Sequence, residues 1–191
     1  MKRGLLIVLS GPSGVGKGTM YSRLLKVLPD LTVSVSVTTR KPREGEIDGV
    51  HYRFLSVGDF TAMRERGDLL EWAETVGNFY GTPKAAVLES LDAGKNVLLE
   101  IDVKGARQIK RAYPECVTIF VLPPSEDELR RRLVGRGTES DEQVSARLAL
   151  AKQEISQCKE FDYNVVNADI DIAVADVIEI IEKERRSKII C

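Results

Sequence analysis

The sequence is poor in the residues that most often build metal centres and covalent cross-links. Of 191 residues, three are cysteine and one is histidine. Cys116, Cys158 and Cys191 are odd in number, far apart and without CxxC spacing, so neither a disulfide framework nor a thiolate metal site is supported. They read as reduced thiols of a cytosolic protein. The lone histidine, His51, reads as partly exposed on a strand and takes no role. Charge of one sign is also lacking. The formal net charge is −1, which gives no general attraction to nucleic acid and requires any basic site to be local. No apolar run approaches the ~18 residues of a membrane span. Lys2-Arg3 before the apolar stretch Gly4 to Leu9 looks like the opening of a secretory leader. That stretch is shorter than the ~7–15 residues of a signal core, and no cleavage site follows it. The sequence therefore predicts a cytoplasmic protein with neither nucleic acid nor membrane as partner. It has no internal repeat and no low-complexity tract. At 43% hydrophobic and 30% charged residues, it suits one compact domain with small insertions.

What is present begins at the first apolar run. Leu5-Leu6-Ile7-Val8-Leu9 leads directly into Ser10-Gly11-Pro12-Ser13-Gly14-Val15-Gly16-Lys17-Gly18-Thr19. Strand, glycine-rich turn and helix in that order form a phosphate-binding loop for a nucleoside triphosphate, with Gly11 through Thr19 lining the phosphates. The glycines let backbone N–H groups close on phosphate oxygens. The helix beginning near Lys17 points its positive end at the same anion. Lys17 adds a point charge at the outer phosphates. Glycine-rich turns also occur as plain strand–helix connections; the preceding strand and the lysine in register favour phosphate. One position departs from the usual pattern. Gly18 follows the lysine where a Mg²⁺-binding Ser or Thr is common, and Thr19 comes one later.

Further short apolar runs, Val97–Ile101, Val117–Leu122 and Tyr163–Val166, have the length and composition of buried parallel strands. Helical stretches separate them: Lys17–Leu28, Lys84–Ala93, Val103–Ala112 and Ile170–Arg186. Thr82 is a candidate N-cap for the second, with Pro83 in its first turn and Gly94 past its end. This alternation predicts an α/β fold with a doubly wound parallel sheet. Two segments break the rhythm. From residue 32 to 82 the chain passes through the alternating run Val33-Ser34-Val35-Ser36-Val37 and a charged loop, Arg40 to Gly49. A short helix follows, with capping-box spacing Ser56…Asp59 and a stop at Gly67, flanked by strand-like His51–Leu55 and Leu69–Val76. This reads as an inserted mixed α/β lobe. Residues 125–147 are dense in arginine and glycine and suit a helical lid. The core is then 1–31, 83–124 and 148–191.

The lobe carries Thr38-Thr39-Arg40-Lys41-Pro42-Arg43-Glu44-Gly45-Glu46, then Tyr52, Glu71-Trp72 and Gly77-Asn78-Phe79-Tyr80-Gly81-Thr82. Together with the phosphate loop, Glu100-Ile101-Asp102 and Gly135-Arg136-Gly137-Thr138, it resembles the guanylate kinases over nearly the whole chain and in the same order. The resemblance implies transfer of the outer phosphate of ATP to GMP, giving ADP and GDP. Both reacting groups are anionic, so the protein must hold them close, neutralise them and keep water out. Arginine suits that work because its planar fork binds two phosphate oxygens at once.

By the resemblance, Arg40, Arg43, Tyr52 and Tyr80 grip the phosphate of GMP, and Glu46 of the same turn joins them. Glu71 reads the base. An ionised carboxylate only accepts hydrogen bonds, and guanine offers N1–H and its 2-amino group side by side. Asp102 is a second acceptor, with the hydroxyls of Ser36 and Thr82 nearby. Arg132 and Arg136 face ATP, Asn167 borders adenine, and Lys17, Arg40, Arg132 and Arg147 stabilise the group in transfer. Glu128, four residues before Arg132, reads as an ordinary solvated helix partner. Mg²⁺ is expected to arrive with ATP, with Glu100 near it through water. ATP and GMP are the expected partners, dGMP is a further acceptor, and the oligomeric state is left open. A guanylate-kinase-like domain that binds proteins without catalysis is the alternative, since fold alone does not prove activity. A related small kinase using another phosphorylated acceptor is the second.

Overall fold

The computed structural model describes residues 3–75, 77–134 and 141–190. In chain order the strands and helices are β1 Leu6–Ser10, α1 Lys17–Val27, β2 Leu31–Val33, β3 Val37–Thr38, β4 Arg53–Phe54, α2 Val57–Glu65, β5 Leu69–Thr75, β6 Asn78–Pro83, α3 Lys84–Asp92, β7 Asn96–Glu100, α4 Val103–Ala112, β8 Val117–Leu122, α5 Glu126–Val134, α6 Asp141–Ile155, β9 Tyr163–Val166 and α7 Ile170–Ile190. A five-stranded sheet runs in the order β2-β7-β1-β8-β9, and a four-stranded sheet in the order β4-β3-β6-β5. The pairs β2/β7, β1/β8 and β8/β9 are parallel, as the unbroken apolar runs require. The fold is thus α/β with a parallel sheet.

The chain forms two compact units. One gathers Asp30–Leu99 and Lys104–Cys116; the other gathers Ile7–Pro29, Glu100–Val103 and the chain from Val117 onward. In the second unit β1 is buried along its whole length, and Met20 and Leu24 fill the inner face of α1. Asp162 accepts from both the backbone N–H and the hydroxyl of Thr118, each at 2.8 Å, which fixes the approach to β9 beside β8. Leu129 and Leu133 of α5 pack with Val144, Leu148 and Ala151 of α6 in one cluster, joined by Ile155. Leu133 also reaches the glycine-rich loop: a Cβ built on Gly14 would lie 2.8 Å from its Cδ2.

The first unit holds the mixed lobe. Here β3 pairs antiparallel with β6 and parallel with β4, while β5 pairs antiparallel with β6. Helix α2 opens with Ser56 as its N-cap at the expected spacing to Asp59. The Ser56 hydroxyl accepts from the Asp59 N–H at 3.1 Å and donates to the Asp59 carboxylate at 2.6 Å. Phe60 on that helix is 1% exposed and stacks on Phe79 of β6, centroids 5.4 Å apart.

Several local expectations need correction. The alternating run from Val33 to Val37 is not one strand. Its start lies in β2 of the parallel sheet and its end in β3 of the lobe, with Ser34–Ser36 irregular between them. Alternation reports two-sided burial but not a change of partner sheet. Thr82 does not cap α3; Pro83 occupies that position without a side-chain bond, and the Thr82 hydroxyl is engaged elsewhere. His51 lies in a turn, exposed, where its Nδ1 accepts the Ile47 N–H at 3.0 Å. Strand β4 is shorter than His51–Leu55.

Because Leu133 serves both the α5–α6 cluster and the floor of the glycine loop, Leu133→Ala should destabilise the chain by about 2–5 kcal/mol. Urea denaturation followed by circular dichroism measures this, and a loss under about 1 kcal/mol would mean the site collapses without a cavity.

Candidate functional site

The glycine loop is shaped by close approaches that only glycine allows. Gly11 has φ of 144°, and a Cβ there would lie 2.5 Å from the Val121 carbonyl oxygen. Gly16 has φ of 99°, and a Cβ there would lie 2.5 Å from Asn167 Nδ2. Gly16 is also the N-cap of α1. No side chain caps that helix start, and its first turn carries no acidic residue. An uncapped, acid-free helix N-terminus behind a glycine turn is built for an anion. Lys17 Nζ curls over the loop and donates to the carbonyls of Gly11 at 2.6 Å and Pro12 at 3.1 Å.

At the end of β7, Glu100 faces the same helix start. A Cβ on Gly18 would lie 3.9 Å from both of its carboxylate oxygens. Glu100 thus borders the space into which a hydroxyl at position 18 would project. Protein atoms around the carboxyl push its pKa above the ordinary value by desolvation, and the Lys17 ammonium pulls the other way.

Arg132 on α5 is tied to the loop on several sides. Its Nη1 donates to the Val15 carbonyl at 3.2 Å, its Nη2 to the Asn167 carbonyl at 3.0 Å and its Nε to Glu128 at 2.7 Å. Asn167, buried after β9, turns its amide onto the Val15 carbonyl at 2.7 Å. The crest of the loop is therefore braced by two side chains at one carbonyl. Glu128 is no plain solvated partner. It and Arg132 have side chains only 24% and 22% exposed, and paired hydrogen bonds from Arg131 and Arg132 hold the Glu128 carboxyl at about 2. Its importance was hidden because i,i+4 spacing is the same in solvated and half-buried pairs. Arg147 lies half-buried on α6. Arg136, with Gly135, Gly137 and Thr138, lies outside the described residues.

In the lobe a second cluster forms where β3 ends. Thr38 and Thr39 lock that end to Phe79: the Thr38 hydroxyl donates to the Phe79 carbonyl, and the Thr39 hydroxyl accepts the Phe79 N–H, both at 2.9 Å. Arg40, next in line, is thereby aimed. It meets Glu46 in a two-pronged pair at 3.0 and 2.8 Å, with its guanidinium 5.6 Å from the centre of the Tyr52 ring. Tyr52 and Tyr80 meet edge to face at 6.1 Å. Glu46 also accepts the Arg43 N–H at 2.7 Å. The Arg40 bonds, with that N–H, lower the Glu46 carboxyl to about 2, and Glu46 in turn raises Arg40. The side chain of Arg43 is exposed.

Glu71 on β5 is 5% exposed and Thr82 on β6 is fully buried. The Thr82 hydroxyl donates to Glu71 Oε1 at 2.6 Å, which orients the carboxylate within the sheet. Ser36, before β3, offers its carbonyl to the Arg53 N–H at 2.8 Å. Asp102 lies in the turn from β7 into α4. So Arg40, Glu46, Tyr52 and Tyr80 come together, as do Glu71 and Thr82. In the other unit Val15, Arg132 and Asn167 converge, and Lys17 and Glu100 interact. Gln108 on α4, bonded to the backbone of Trp72, carried no local sequence signal. Among the described residues no group of three or more His, Cys, Asp and Glu side chains could cage a metal ion. No described helix is long and apolar enough to cross a membrane.

Comparison with known proteins gives one answer. The family model described as guanylate kinase matches residues 3–184. A guanylate kinase of Clostridioides difficile is 51% identical over 97% of this chain and 90% of its own length. One from Halalkalibacterium halodurans is 52% identical over 96% and 90%. The crystal structure of guanylate kinase from Anaplasma phagocytophilum superposes with a TM-score of 0.81 at 38% identity, covering 96% of this chain and 87% of that one. With a family model spanning the described core and relatives at half identity along nearly its full length, the chain belongs to the guanylate kinase family.

Proposed function

We infer that the chain is an ATP:GMP phosphotransferase, carrying the γ-phosphate of ATP to GMP and releasing ADP and GDP. The observation that carries this is the buried Glu71 carboxylate, oriented by Thr82 within a lobe that also gathers Arg40, Tyr52 and Tyr80. A protein-binding domain has no need of a carboxylate shut away in a sheet together with an intact lysine-bearing phosphate loop. Family membership at half identity supports the enzyme over that alternative.

Each group has a physical task. The loop from Gly11 to Thr19 and the start of α1 hold the triphosphate of ATP through backbone N–H groups. Lys17 exchanges its loop carbonyls for phosphate oxygens and follows the charge as it moves. Arg132 and Arg147, with Arg136, neutralise the group in transfer, and Asn167 keeps the loop in shape beside the adenine. On the acceptor side, Arg40, Arg43, Tyr52 and Tyr80 hold the phosphate of GMP, with Glu46 fixing Arg40. Glu71 accepts from N1–H and the 2-amino group of guanine, supported by Ser36, Thr82 and Asp102. Adenine lacks N1–H, so AMP fails to bring that carboxylate the donors it would receive from guanine, and such losses cost about 10⁴-fold or more in selectivity. The acceptor oxygen is already ionised at neutral pH, so no general base is required. dGMP presents the same base and is accepted.

Mg²⁺ is the implied metal. The donor set fits an ion that arrives with its nucleotide: Glu100, a hard oxygen donor beside the loop, would hold it through water, and Mg²⁺ keeps waters and phosphate oxygens around a small number of carboxylates. Bound there, it would screen the outer phosphates. The protein would work in the cytoplasm, a reading supported by the reaction and by cysteines spaced for neither disulfides nor a metal site.

A coupled assay with GMP, dGMP, AMP and UMP tests the assignment; turnover with GMP and dGMP alone is expected, and none with GMP rejects it. Lys17→Ala should lower turnover by about 10²–10³-fold, because a charge used as the phosphoryl group moves is lost; near-normal turnover would remove the phosphate-loop argument. Glu71→Gln should raise the KM for GMP far more than that for ATP. Equal losses for both would remove the base-reading role.

A further inference from the structure

Glu71 lies in an irregular part of its sheet. The β5/β6 register shifts between Leu69 and Glu71, so the ladder that should fix the strand is interrupted just before the carboxylate. Bulges re-aim side chains but weaken the local pairing. β5 is also an edge strand, and an edge strand turns half of its N–H and C=O groups away from its one neighbour. Something other than β6 must hold the backbone here.

Gln108 does so from α4. Its Oε1 accepts the Trp72 N–H at 3.2 Å, and its Nε2 donates to the Trp72 carbonyl at 2.7 Å. A primary amide carries one acceptor and one donor side by side, the same pair that a further strand would present to a single residue. The side chain thus closes the edge of β5 at one point. The same Nε2 lies 3.4 Å from the Lys104 carbonyl, one helical turn back, which steadies the amide on its helix. The Trp72 N–H belongs to the peptide group that follows the Glu71 Cα. On its opposite edge that peptide's oxygen faces Gly81, where even a Cβ would come within 3.1 Å. The Trp72 ring is gripped too, with the Arg64 guanidinium 5.0 Å from its centre.

We propose that Gln108 is a positioning residue for purine selection: it fixes the Glu71–Trp72 peptide and so aims the Glu71 carboxylate at guanine. This rests on the assignment of Glu71 to the base. The residue touches neither substrate in this account; it acts through the backbone. With the amide gone, the peptide can rotate, and the carboxylate loses its aim at both donors of the base while the phosphate contacts stay.

Gln108→Leu keeps an aliphatic side chain and removes the amide with both hydrogen bonds; Gln108→Glu keeps the acceptor and sets a carboxylate against the Trp72 carbonyl. Steady-state kinetics with GMP and with IMP, which lacks the 2-amino group, separate aim from stability. In both variants the KM for GMP should rise about tenfold and the GMP-to-IMP ratio of kcat/KM should fall, while the KM for ATP stays within about twofold. If Gln108→Leu fails to fold, Gln108→Glu carries the test. A lowered melting temperature with unchanged KM for GMP and unchanged GMP-to-IMP ratio would make Gln108 a structural tie only and overturn the proposal. The unaltered chain is measured alongside: if it does not phosphorylate GMP, or if Glu71→Gln leaves its GMP-to-IMP ratio intact, it is the functional reading that fails.

Discussion

A cation that is to receive a phosphate must be held in place beforehand, and the three to which the proposed function gives that task already rest on protein oxygens. Lys17 lies on the Gly11 and Pro12 carbonyls, Arg40 on Glu46, and Arg132 on Val15, Asn167 and Glu128. Charge-assisted bonds of this kind keep long side chains from wandering and remove part of the ordering cost that a ligand would otherwise meet. The partners differ in kind. Lys17 is held by neutral carbonyls, which a phosphate can displace because it brings full negative charge. Arg40 and Arg132 are held by carboxylates kept near 2, so those anchors stay ionised across the working pH range. A guanidinium has five N–H donors, and an anchor that occupies some of them aims the rest. On the proposed reading, lysine would yield its contacts, while arginine would keep an anchor and offer the remainder.

Base selection follows another logic. Glu71 is shut into a sheet, where a charge is costly unless its oxygens are met. The Thr82 hydroxyl meets one and orients the group, and on the proposed reading guanine would supply two donors that adenine cannot. On that reading, the penalty that makes the carboxylate expensive to bury would also make the wrong base expensive to bind. Such discrimination would depend on geometry, which is why the peptide after Glu71 and the Gln108 amide that holds it bear on the proposed base reading.

Much of this was legible from residues whose spacing has a local cause. The glycine loop announces its strand, turn and helix because each depends on neighbours in sequence, and α1, α4 and β8 fall where apolar pattern and length place them. The N-cap at Ser56, with its spacing to Asp59, was legible for the same reason. What sequence hid was partnership at a distance. Val33 to Val37 alternates without a break although its two ends serve different sheets. Thr82 has the right type and position to cap α3, yet a buried carboxylate eleven residues away competes for its hydroxyl and wins, since an unmet charge costs more than an uncapped helix. Glu128 shows a spacing common to exposed pairs, and only its partner Arg132, bound to the loop at Val15, gives it weight. Gln108 stands thirty-six residues from Trp72, on a helix whose pattern gives no hint of an amide bound to an edge strand.

The most direct test is a crystal structure of the protein with GMP. The account predicts both guanine donors, N1 and the 2-amino nitrogen, within about 2.7–3.2 Å of the Glu71 oxygens, and the phosphate on Arg40, Tyr52 and Tyr80. A base lying away from Glu71, or a phosphate held elsewhere in the chain, would contradict it.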